Sequence, residues 1–62
     1  MQVLYRTENA RTPDLKVYVD PDNNTHELER EDAERVAKRI ADRGGYARVV
    51  FGSHTVAEYG SR

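Results

Sequence analysis

The feature that most constrains this chain is a narrow apolar stripe. Ala33, Val36, Ala37, Ile40 and Ala41 recur at three- and four-residue spacings, the period of a helix that buries one face. Its ends are specified locally. Glu29, Glu31, Asp32 and Glu34 crowd the first turns while Arg39 and Arg43 occupy the last, which complements the helix dipole. Capping chemistry allows two starts: Asn24 with Glu27 three residues on, or the neighbourhood of Glu29 with Leu28 stapling onto Ala33. The later start is preferred, and Gly44-Gly45 supplies a left-handed C-terminal cap. Glu31 with Arg35, Glu34 with Lys38, and Arg35 with Arg39 and Asp42 read as a solvated, self-compensated helix face.

A helix with one apolar face needs a partner layer, and the rest of the chain is patterned as strand. Gln2 to Thr7 is rich in β-branched and aromatic residues, and the polar stretch Glu8 to Asp14 with Pro13 inside it ends that run. Leu15 to Asp20 then alternates, with Leu15, Val17 and Val19 on one face and Lys16 and Tyr18 on the other. These segments predict a first hairpin. The cluster Asp20-Pro21-Asp22-Asn23-Asn24 is turn chemistry.

After the helix, Tyr46 to Phe51 and His54 to Tyr59 are joined by Gly52-Ser53, a pair suited to a type II′ turn. That turn predicts Phe51 opposite His54, Val50 opposite Thr55 and Val49 opposite Val56. It continues with Arg48 opposite Ala57, Ala47 opposite Glu58 and Tyr46 opposite Tyr59. The order is ββαββ: a single α+β domain over residues 1–62, with one amphipathic helix packed on a small, mainly antiparallel sheet made of two hairpins. The expected core is Val17, Val19, Leu28, Val36, Ile40, Val49, Phe51 and Val56, and only Gly60 to Arg62 read as frayed.

Composition narrows the function. Sixty-two residues make a thin core, and the absence of cysteine removes a disulfide framework and a thiolate zinc site. Self-association is the staple that remains. A net charge of −1 provides no global attraction to nucleic acid or to an anionic membrane. No apolar run approaches the ~18 residues of a membrane span, and Met1 leads directly into strand-like sequence, so a cytoplasmic location is expected.

Three constellations bear on chemistry. Asp20-x-Asp22-x-Asn24 with Glu31 has the spacing of a calcium loop, but Thr25 stands where the sharp turn needs Gly and Glu27 where an apolar residue packs. An Asx-rich turn before a helix is the better reading. His26 and His54 are the two groups whose ordinary titration falls near neutrality, and two histidines without a third ligand point to no metal site. Gly52-Ser53-His54, following a helix and a strand that starts Gly-aromatic, locally resembles the HicA-type mRNA interferase toxins, and by that resemblance His54 is the catalytic group. The resemblance covers Ala33 to Tyr59. The chain departs from that pattern in its N-terminal hairpin, in lacking a C-terminal helix and in lacking basic charge. We read the triplet as a turn first.

The third constellation is aromatic. If Val49, Phe51 and Val56 face the helix, the outer sheet face carries Tyr18, Tyr46 and Tyr59, and Tyr5 with them, with Lys16 and Arg48 among them. Tyr and Arg are enriched anchors of protein interfaces. The expectation is therefore a non-enzymatic interaction module that docks on a protein or forms a homodimer through that face, with no cofactor and no small-molecule substrate. Its small size suggests a phage or mobile-element accessory protein. The alternative is a single-stranded nucleic-acid binder that stacks bases on the same rings and holds phosphates with Arg48 and Lys16. The charge balance argues against that alternative.

Overall fold

The computed structural model describes Met1 to Gly60. The apolar stripe forms helix α1 (Arg30–Asp42), with Ala33 and Ala37 fully buried. Glu29 caps its start in an extended conformation without a side-chain capping bond, as the later of the two starts requires. The C-terminus closes in a Schellman motif: Gly45 N–H donates to the Ile40 carbonyl at 3.1 Å and Gly44 N–H to the Ala41 carbonyl at 2.9 Å, with Gly44 at φ +93°. The surface ion pairs differ in detail from those expected. Arg30 pairs with Glu34 at 3.7 Å and Arg35 with Asp32 at 3.2 Å.

Four strands complete the fold: β1 (Gln2–Arg6), β2 (Lys16–Val17), β3 (Tyr46–Phe51) and β4 (His54–Gly60). They form one antiparallel sheet in the order β2-β1-β3-β4. The two predicted hairpins are both present, and they join through β1 and β3, with Val3 opposite Val49 and Tyr5 opposite Ala47. Val3, Ala47 and Val49 have no exposed surface and meet Ala33 and Ala37 of the helix. This identifies the covered face of the sheet, because directly opposed residues share a face and successive residues alternate.

The register corrects several expectations. Leu4 pairs with both Val17 and Arg48, so Val17 lies on the uncovered face, 45% exposed, and Val19 beyond the strand is 48% exposed. Neither is core. Phe51 has the parity of the covered face but is 61% exposed, because it lies past Val50, the last β3 residue to pair with β1. Leu28, Val36, Ile40 and Val56 are half-buried against the core, as expected.

In the second hairpin, Phe51–His54 and Val50–Thr55 pair as predicted, and Gly52 has φ +62°. A bulge then intervenes: Val49 pairs with Ala57, Arg48 with Glu58, Ala47 with Tyr59 and Tyr46 with Gly60. One extra residue, Val56, shifts every later pair by one. Gly60 is therefore paired rather than frayed, and Ser61 and Arg62 lie outside the described residues.

Two polar clusters shape the surface. At the Asp20–Asn24 turn, Asp20 Oδ1 accepts from Asp22 N–H at 3.0 Å, and Asn24 is left-handed at φ +52°, which is Asx-turn geometry. At the N-terminus, the Met1 ammonium donates to the Leu28 carbonyl at 2.6 Å and to Glu27 Oε2 at 3.1 Å, while Gln2 Nε2 donates to Glu27 Oε1 at 3.2 Å. These bonds tie β1 to the segment that leads into α1. The ammonium hydrogen bond, then that of Gln2, then the ammonium charge hold the Glu27 carboxyl below the usual glutamate range.

Candidate functional site

The helix packs on β1, β3 and β4 from one side. Among the described residues no helix or strand covers the other side. Alternation and register place Leu4 and Arg6 of β1, Val17 of β2, Tyr46, Arg48 and Val50 of β3, and Thr55 and Glu58 of β4 on this open face. Leu4 and Val50 are half-buried and Val17 is exposed, which leaves an apolar strip across three strands.

Tyr46 dominates one end of that face, as the first residue of β3. It stands opposite Arg6 in β1, and the Arg6 and Arg48 guanidinium carbons lie 5.4 Å and 5.8 Å from its ring centroid. Cations at this distance are attracted to the ring face and shield it. The residue is 3% exposed although no secondary-structure layer lies above it. The Tyr46 hydroxyl and Arg48 Nε are both shielded and without hydrogen-bond partners.

The structure brings together only part of the expected aromatic surface. Tyr46 and Arg48 are adjacent on the open face, as the alternation of β3 predicts. Tyr5 and Tyr59 are opposed to Ala47 on its two flanks and pack against the core on the helix side. Tyr18 also packs there, its ring 6.3 Å from that of Tyr5 at 73°. Lys16 pairs with Tyr5 and shares its face. Two separate errors produced the expected cluster. Alternation in Leu15 to Asp20 puts Val17 in the core, whereas the β1–β2 register puts it on the open face, and the bulge at Val56 leaves no local signal. Without a bulge Tyr59 would share the face of Tyr46.

Arg6 is the residue that sequence reasoning missed. Within the expected Gln2 to Thr7 strand nothing singles it out, and only the pairing of β1 with β3 brings it over Tyr46. His54 stands exposed at the hairpin corner with no side-chain hydrogen bond among the described residues, and His26 is exposed in the loop before α1. Among the described residues no group of three or more His, Cys, Asp or Glu side chains is arranged to hold a metal ion. Nor is any described helix long and apolar enough to cross a membrane.

Comparison with known proteins finds no matching family model, no matching curated protein and no matching solved structure.

Proposed function

We propose that this chain is a non-enzymatic interaction module that self-associates through the open face of its sheet. The observation that carries the reading is the uncovered strip of Leu4, Val17 and Val50 beside the Tyr46–Arg6–Arg48 stack. Such a face normally receives a second layer.

Four properties favour a second copy as that layer. The fully buried core consists of Val3, Ala33, Ala37, Ala47 and Val49, so its largest side chains are valines and it contributes little burial for a chain of this length. The molecule measures 27 × 24 × 19 Å, so its broad face has a footprint of roughly 600 Å² and two copies face to face bury about 1,200 Å², the lower end of stable interfaces. A net charge of −1 sets up little repulsion between copies. The face also carries both signs, in Arg6, Arg48 and Glu58.

The test is solution mass by light scattering over a concentration series, for the parent and for Val17→Asp. Val17 is exposed on an edge strand, so the substitution leaves the core intact while placing a charge in the interface. A dimer that dissociates in the variant, with unchanged circular dichroism, supports the reading. A parent that stays monomeric up to about 1 mM overturns it.

A further inference from the structure

We propose that the loop between β1 and β2 is a binding site for a single phosphate group carried by a small molecule. The two strands share only two pairs, Leu4–Val17 and Tyr5–Lys16, so residues 7–15 form a long excursion rather than a tight turn. Compact loops of this length are frequently functional.

This loop is held open as a cleft. Arg6 Nη1 donates to the Pro13 carbonyl at 3.0 Å and Ala10 N–H to the Thr7 carbonyl at 3.1 Å. Pro13 fixes its own φ and restricts Thr12 before it. The open cleft has a volume of ≈ 290 Å³, room for roughly ten waters at about 30 Å³ each.

Its lining is selective in charge. Arg6, Arg11 and Lys16 are among its lining residues, Arg6 and Lys16 from opposite faces of the sheet, with Asp14 as the one carboxylate, a local excess of cations in a chain whose net charge is −1. Arg6 is engaged by Pro13 and by the Tyr46 ring. Arg11 and Lys16 make no ion pair among the described residues, whereas Arg30 and Arg35 on the helix are paired. Thr12 and Asn9, whose side chains can donate neutral hydrogen bonds, also line it. A phosphate presents several charged acceptor oxygens and matches such a set. The three cationic residues border one cleft instead of running along a groove, which favours a single phosphate over a nucleic-acid strand.

The experiment is a titration of the ¹⁵N-labelled protein with inorganic phosphate and, separately, with AMP at constant low ionic strength, followed by amide chemical shifts. Saturable shifts confined to residues 7–16 are expected for both ligands, with millimolar-range affinity. Arg11→Ala combined with Lys16→Ala weakens binding about tenfold, and Asp14→Asn tightens it, since one removes attraction and the other repulsion. These residues are exposed, so circular dichroism is expected to stay unchanged in each variant. Amides 7–16 that do not move, or an affinity that the double substitution leaves intact, overturn the proposal. So does an oligonucleotide that binds with steep salt dependence while phosphate leaves those amides unmoved, which would indicate a strand-binding surface instead.

Discussion

Replacing Gly45 by alanine isolates one close approach on which the sheet depends. Gly45 is buried where the chain leaves the helix and enters β3. A Cβ built there would lie 2.5 Å from the Arg6 carbonyl oxygen, 3.0 Å from Ile40 Cγ2 and 3.2 Å from the Ile40 carbonyl oxygen. Two of these neighbours are backbone and cannot rotate away. Arg6 is also the last residue of β1 and pairs with Tyr46, so relief requires the two central strands to part at that end. Overpacking of a filled site costs typically 1–3 kcal/mol, and rigid neighbours put Gly45→Ala near the upper bound, about 3 kcal/mol.

Gly52→Ala is the matched control. Its Cβ would meet nothing within 4 Å, but its φ is +62°, so it carries only the left-handed penalty of roughly 1–2 kcal/mol. Urea denaturation followed by circular dichroism reads both. With a slope near 1 kcal/mol per molar for a small chain, the midpoint falls by about 3 M for Gly45→Ala and by about 1–2 M for Gly52→Ala. A protein whose total stability is about 5 kcal/mol would be left barely folded by the first. A Gly45→Ala midpoint within about 0.5 M of the parent, or above that of Gly52→Ala, refutes the close-approach reasoning.

Three further outcomes are expected. The Glu27 carboxyl, followed by ¹³C NMR, titrates below an unperturbed glutamate. Because its folded pKa is depressed, its contribution to stability is present above the unfolded value and is lost as pH falls through the folded one. Acetylating the Met1 amine, which removes the ammonium at 3.1 Å, raises that midpoint, and an unmoved midpoint contradicts the assignment. Tyr46→Phe removes a shielded hydroxyl without a partner, so urea unfolding shows a stability unchanged or raised by up to about 1 kcal/mol, and a clear loss speaks against an unpartnered hydroxyl. Phe51→Ala, at a side chain 61% exposed, costs within about 0.5 kcal/mol, whereas Val49→Ala at full burial costs about 2 kcal/mol. The reverse order would restore Phe51 to the core.

These comparisons also indicate which levels of the fold were legible in the sequence. The helix was legible at both ends, because its stripe, its acidic entry and Gly44 are local signals that tertiary contacts reinforce. The second hairpin was legible near its turn, where Gly52-Ser53 sets the register through Val50–Thr55. It became illegible at Val56, because a bulge depends on how a strand must bend over its layer. The same bulge lets consecutive residues Val56 and Ala57 both pack toward the core. For β2, alternation correctly separated Val17 from Lys16 and Tyr18 but could not say which set faced inward. The Tyr5–Tyr18 edge contact resolves that ambiguity by burying larger rings in place of valines. The candidate site inherits both uncertainties, so Tyr46 and Arg48 were found while Arg6 had to wait for the strand order.

That strand order has a kinetic consequence. β1 is a central strand whose inner neighbour is β3, so Val3 cannot bury itself until Val49 has been made. Closing so long a loop costs entropy before any core contact offsets it. During synthesis β1 therefore waits, with its apolar face unsatisfied, until β3 has been made. Folding is then a late, concerted event in which α1 and the second hairpin form locally and capture β1. A chain stopped after the helix would hold two of the four strands and lack the strand that completes the core.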